Sequence, residues 1–250
     1  MKYTLRDVIA SLPREKFLQE AFWSRLVLRP LSFPPSWLAL ACGMTPNMMS
    51  WLGAFCAIAG GALLGWGNTA LQWAGIALLF VFSVLDCADG NMARTLKTSN
   101  PWGSWTDAVG GYIAYTASLL GLGMAAERCG GFGPAGLCVF LGGFSAAANM
   151  LMRASVQFSR ITALNIAKAV SAGESAASEE KHEKPSREKW ISENLGITGI
   201  MSPAIAVGLV FLWLHWILFF YALLYGAGSV WVIFKLALKT ARKEEKAADL

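Results

Sequence analysis

The chain has 250 residues, of which 55% are apolar and only 15% charged, with a mean hydropathy of +0.47, whereas soluble domains carry roughly 25% charged residues. These figures exclude a soluble globule, a disordered chain, a collagen-like repeat and a coiled coil. A net charge of +5 leaves nucleic acid or an anionic surface open as partners, while five scattered cysteines in apolar surroundings (Cys42, Cys56, Cys87, Cys129 and Cys138) exclude a disulfide scaffold.

In chain order, no cleavable leader is expected, because Arg6, Asp7, Pro13 and Arg14 break the first apolar stretch. Residues 14–29 place Leu18, Phe22 and Leu26 on one face, with Arg14, Lys16, Arg25 and Arg29 around it. That spacing predicts an amphipathic helix lying in the membrane interface, ended by Pro30, Pro34 and Pro35. A crossing helix needs about 20 mainly apolar residues, and six segments approach that: 47–66, 70–85, 105–125, 133–151, 197–214 and 216–238. The expected fold is therefore all-α, a polytopic membrane protein of six transmembrane helices with an N-terminal interfacial helix. Its organisation reads as an N-terminal segment (1–35), a membrane domain (36–240) with a polar loop at about 156–195, and a charged tail (241–250). His182 lies in the hydrophilic run 171–194 with no partner pattern, and His215 lies at the turn between the last two spans.

Six spans put both termini, the 86–104 region and the 153–196 loop on one side. Twenty of the 21 Lys and Arg residues fall on that side, counting Lys235 at that end of the last predicted span, and only Arg128 does not. Cytoplasmic loops attract Lys and Arg during insertion, so both termini are expected in the cytoplasm, at the plasma (inner) membrane if the source is bacterial. The positive charge is thus a topology signal with affinity for anionic lipid. No nucleic-acid partner is expected, since no basic and aromatic residues interleave on a polar face.

The informative stretch is 83–112. Asp86 and Asp89 end the second predicted span and Asp107 begins the third, and no other acidic residue lies within an apolar span. An ionised Asp at a transmembrane helix centre costs about 2.5–3.5 kcal/mol on insertion scales, so three near one depth call for a cation or a water-filled cavity. Asp86, Asp89, Gly90 and Ala93 follow an i, i+3, i+4, i+7 pattern and share one helix face. Gly103, Asp107 and Gly111 make a second stripe at four-residue spacing. Two facing helices would then present three carboxylates around a cleft with small walls, suited to hard divalent cations and a phosphate close to the backbone. Helix-end capping for the aspartates, close packing for the glycines and a snorkelling anchor role for Arg94 are the structural alternatives.

Asp86-x2-Asp89-Gly90-x2-Ala93-Arg94-x8-Gly103-x3-Asp107 resembles the signature of the CDP-alcohol phosphatidyltransferases, and Thr45-Pro46-Asn47 resembles the tripeptide that often opens the family's first span. The resemblance implies transfer of a substituted phosphate from a CDP-linked donor to a hydroxyl acceptor with release of CMP. The donor would be CDP-diacylglycerol or a CDP-linked small alcohol. It implies that Asp86, Asp89 and Asp107 hold Mg2+ or Mn2+, and that Thr45, Asn47, Asp86, Gly90, Ala93 and Gly103 line the nucleotide pocket. Asp107 and Arg94 would serve catalysis, and Arg153 and Arg160 are candidates for an acceptor phosphate. Pairing as a homodimer is also implied, and Gly61-x3-Gly65 would permit close packing. One position departs: the family's fourth Asp, ligand and base together, is Gly111 here. A relative that binds nucleotide or lipid without turnover is the alternative reading. A small cation transporter would explain the carboxylates but not Gly90, Ala93, Arg94 and Gly103.

Overall fold

The computed structural model describes residues 3–98, 101–171 and 193–248, with no side-chain description at 101, 166–171 and 242–248. These residues form helices and no strand. The hydrophilic run at 172–192, with His182, lies outside the described residues. All five cysteines are free.

The N-terminal segment departs from a single amphipathic helix. Helix α1 (Leu5–Ala10) and α2 (Arg14–Gln19) are short, and the chain is extended at Glu20 before turning helical again. A π turn at Ser24–Leu28 then leads into α3 (Arg29–Ala41), which contains Pro34 and Pro35. The prolines therefore do not end the helix. The wide turn, with the Arg29 N–H reaching Ser24 O, relieves the clash that the Pro30 ring would otherwise make with the preceding turn.

Five helices are long and apolar enough to cross a membrane among the described residues, which suggests an integral membrane protein. They lie in α4 (Pro46–Trp66), α5 (Thr69–Leu96), α6 (Pro101–Arg128), α7 (Leu137–Ser171) and the last helix, Leu214–Ala248. Large apolar side chains such as Phe55, Trp66, Phe140 and Val230 point outward, as lipid permits and water does not. Helix α7 runs on to Ser171, so the first part of the predicted polar loop is helical.

The predicted fifth span is shorter than expected. A π turn (Ile197–Met201) continues into α8 (Ser202–Val210), and together they form an apolar helix of 14 residues. At ~1.5 Å per residue this is about 21 Å, against roughly 30 Å of hydrocarbon. The chain enters irregularly just before it, and side chains satisfy the exposed backbone. Tyr221 Oη donates to Leu195 O at 3.0 Å, Ile197 N donates to Tyr115 Oη at 3.0 Å, and Ser83 Oγ donates to Ile197 O at 3.3 Å. Ser83 lies midway along α5, so this helix begins well inside the bundle. The final helix, α9 (Leu214–Ala248), starts at the opposite end, where His215 and Trp216 pack on Phe132.

Helix α4 packs against both α5 and α6, which scarcely touch each other. Close approach depends on glycine pairs. A Cβ on Gly61 would stand 2.3 Å from Ala117 O, one on Gly121 2.4 Å from Gly61 O, and one on Gly60 2.9 Å from Gly75 O. Gly61-x3-Gly65 is thus used within the chain, against α6, rather than left free for a second copy.

Candidate active site

Thr45 caps α4: its side chain accepts from Met48 N at 3.3 Å, and Pro46 follows with its φ already fixed. This brings Thr45, Asn47 and Ser50 to the end of α4 that faces the C-terminal third of α5. There Asp86, Asp89, Gly90, Ala93 and Arg94 meet Gly103 and Asp107 from the first turns of α6 around one cavity of about 800 Å³. All eight residues predicted for the metal and nucleotide sites line it, and so does Arg94. The two carboxylate-bearing helices do not face each other directly, because the start of α4 stands between them as the back wall.

Asp89 is the deepest of the three carboxylates, at 7% exposed, and accepts a short hydrogen bond from Ser50 Oγ. Ser50 also reaches Pro46 O at 3.2 Å, which ties Asp89 to the mouth of α4. Asp86 is half-buried and lines a second cavity, of about 590 Å³, whose wall includes α2 and shares Lys16 and Arg29 with the first. Asp107 is exposed toward the larger cavity. Among the described residues none of these three carboxylates is ion-paired, since Arg29 with Glu20 is the one salt bridge found there.

Several residues that sequence reasoning passed over hold the site together. Arg29 Nε donates to Glu20 at 2.6 and 2.8 Å, and its Nη1 donates to Cys87 O at 3.0 Å and Asn91 Oδ1 at 3.1 Å. Burial is the largest single influence and opposes the Arg29 charge, but the hydrogen bonds to Glu20 together with the nearby Cys87, Glu20 and Asp86 outweigh it and hold the guanidinium above its ordinary pKa. Asn91 also accepts from Arg94 Nη2 at 2.7 Å. Ser32 and Ser36, four apart on α3, were the available signal: two hydroxyls on one stripe of an apolar helix, both buried. Lys16 reaches the cavity from α2, and its pKa is lowered by burial first and then by Arg94 and Arg29.

Gly111 has open space beside it, with nothing within 4 Å of a Cβ built there. Tyr112 Oη donates to Gln157 at 2.6 Å, and Tyr115 is buried with its hydroxyl engaged at Ile197. Arg153 lies 4.2 Å above the Tyr115 ring, and Arg160 is exposed on α7; neither lines either cavity.

A model of the CDP-alcohol phosphatidyltransferase family matches residues 43–238, more than three quarters of the chain. The chain belongs to this family. No curated protein matches the sequence. CDP-alcohol phosphatidyltransferases use a CDP-alcohol donor and an alcohol acceptor, and are generally dependent on a divalent metal. Among the described residues no three His, Cys, Asp or Glu side chains are gathered closely enough to hold an ion. The donor set fits such an ion in its chemistry: three carboxylates that form no ion pair among the described residues line one cavity, and hard divalent cations take oxygen ligands.

Proposed function

We propose that this protein moves a substituted phosphate from a CDP-linked donor to a hydroxyl acceptor and releases CMP, in synthesis of a phospholipid or a related glycoconjugate. The observation that carries the reading is that Asp86, Asp89 and Asp107 line one cavity with Thr45, Asn47, Gly90, Ala93, Arg94 and Gly103. Its volume falls in the range of small-molecule sites, roughly 300–1,000 Å³.

Asp86, Asp89 and Asp107 would hold Mg2+ or Mn2+, which when bound supplies positive charge to the transferred phosphate and the leaving group. Ser50 fixes the rotamer of Asp89. Gly90, Ala93 and Gly103 keep the wall free of bulk where the nucleotide enters, and Thr45 and Asn47 offer polar atoms at the mouth of α4. The Arg94 guanidinium faces the diphosphate. In an in-line displacement the acceptor oxygen bonds to phosphorus as the bond from phosphorus to the CMP oxygen breaks. The hydroxyl proton passes to Asp107, the exposed carboxylate. A loose transition state needs little early proton removal, so the carboxylate missing at Gly111 is less costly than in a reaction led by a strong base. Beside Arg94, the cations lining the two cavities are Lys16, Arg29 and Lys97, and these, rather than Arg153 and Arg160, are the ones for an acidic acceptor to meet.

The reading includes six crossings with both termini and the site in the cytoplasm. The short helix serves as the fifth crossing together with the irregular stretch before it, since its two ends lie toward the site and toward Phe132 respectively.

The test is CMP release by purified protein from CDP-diacylglycerol and from CDP-linked small alcohols, against a panel of alcohol acceptors with divalent cation or chelator. Release that needs donor, acceptor and cation together is expected. Absence of release under every combination, with no binding of CDP, would refute the reading.

A further inference from the structure

Asn91 is 0% exposed, and every polar atom of its amide is engaged. Its Oδ1 accepts from Arg94 Nη2 at 2.7 Å and Arg29 Nη1 at 3.1 Å, while Nδ2 donates to Ser32 Oγ at 2.8 Å and Ser36 Oγ at 3.4 Å. The two serine hydroxyls spend their own protons on carbonyls, Ser32 on Arg29 O and Ser36 on Ser32 O and Ala88 O. They therefore present lone pairs to Asn91, and the two guanidiniums present donors. Only a side chain with one acceptor end and one donor end fits between them, which fixes the amide orientation.

The charge count explains why a neutral acceptor stands there. Arg29 is taken by Glu20 in a two-pronged pair, and no described carboxylate pairs with Arg94. The Arg94 guanidinium is steered by a dipole instead of being neutralised by a charge. It folds over Gly90, where an added Cβ would stand 3.3 Å from Nη1, and this places it on the cavity wall. The order of support runs from Glu20, ahead of the π turn, to Arg29, to Asn91 and then to Arg94.

We propose that Asn91 is a positioning residue that holds Arg94 at the edge of the donor cavity with its charge uncancelled, and that Arg29, anchored on Glu20, sets Asn91 from behind. The inference rests on the reading of Arg94 as a contact for the donor diphosphate. An Asp at 91 would keep the size and the acceptor oxygens but would pair with Arg94 and draw its charge away from the ligand. Ser32 and Ser36 could turn their protons to the new carboxylate, since the carbonyls they leave are helical. A purely structural role would leave Asn91→Asp neutral in binding.

The experiment is a calorimetric titration of the full chain in detergent with CDP, in the presence of Mg2+, alongside thermal unfolding. Arg94→Ala should weaken CDP about ten- to a hundred-fold, the scale expected for loss of charge-assisted hydrogen bonds. Asn91→Asp should weaken it about tenfold with an unfolding temperature at or above wild type. Asn91→Ala should also weaken it, and the Asn91→Ala/Arg94→Ala double variant should bind no worse than Arg94→Ala alone. If Asn91→Ala does not fold, Asn91→Asp carries the test. Wild-type affinity in Asn91→Asp together with a loss in Arg94→Ala overturns the positioning role and leaves the transferase reading standing. Wild-type affinity in Arg94→Ala overturns the assignment of Arg94, and this inference with it.

Discussion

Replacing Asp89 with Asn removes a charge while keeping shape and partner, because the Ser50 hydroxyl can donate to an amide oxygen as it does to the carboxylate. The carboxylate is 7% exposed and has no described cation partner. On insertion scales an ionised Asp costs about 2.5–3.5 kcal/mol at a helix centre and less toward the interface. Asp89 lies seven residues from the C-terminal end of α5, so relief of about 1–2 kcal/mol on neutralisation is the scale expected. That corresponds to a rise in unfolding temperature of roughly 2–8 °C for a chain of this size. The same change should lower CMP release at least about 100-fold, the scale seen when one preorganised electrostatic contact to a transition state is lost. Asp89→Asn is therefore expected to be more heat-stable in chelator than wild type and nearly inactive with divalent cation. Added Mg2+ should raise the unfolding temperature of wild type, by mass action on the folded state, and not that of the variant. Equal CMP release by the two proteins, or lower stability of the variant in chelator, would refute the reasoning.

At the opposite end of the bundle, Gly61→Ala places a Cβ 2.3 Å from Ala117 O, and overpacking of this kind costs typically 1–3 kcal/mol. A lowered unfolding temperature and a loss of folded yield are expected, and wild-type stability would contradict the close α4–α6 contact. Gly111→Asp meets nothing within 4 Å at its Cβ, so it should fold like wild type and raise CMP release by restoring a carboxylate one turn from Asp107. A variant that folds but gains nothing would show that this chain does not use a base at that place. Burial and the neighbouring Arg94 and Arg29 lower the Lys16 pKa from 10.5. The unfolded state thus binds more protons between the folded value and 10.5, and stability should rise with pH across that window. Lys16→Met should flatten the rise, and an unchanged slope of unfolding temperature against pH would rule Lys16 out as its source.

The carboxylate stripe was legible because helical periodicity places Asp86, Asp89, Gly90 and Ala93 on one face without reference to any partner. The same holds for the long apolar helices, where length and hydropathy suffice. What depends on distant partners was not legible. Asn91 owes its role to Arg29, Ser32 and Ser36, more than fifty positions earlier, and nothing near it in sequence marks it. Gly61 and Gly65 signalled close approach, but a glycine spacing does not name the helix that approaches, and here it is α6. The prolines misled for a local reason, since the π turn that accommodates Pro30 is invisible to a helical template. The length of the short helix was not legible because hydropathy counts residues 197–214 alike, whereas the structure buries the entry to that helix beside Ser83, Tyr115 and Tyr221.

The length of α5 sets where the chemistry meets its two solvents. From Thr69 to Asp89 the axial rise is about 30 Å, the full thickness of the hydrocarbon layer, and Arg94 stands more than a turn beyond it. If Thr69 marks the far boundary, the carboxylates lie level with the glycerol backbones of the near leaflet. A lipid-linked donor would then reach them by lateral diffusion without leaving the bilayer, while a polar alcohol arrives from the aqueous phase. The two reactants would be presented from perpendicular directions, one confined to a plane and the other free in volume. Donor supply would accordingly follow the surface fraction of that lipid rather than its bulk concentration.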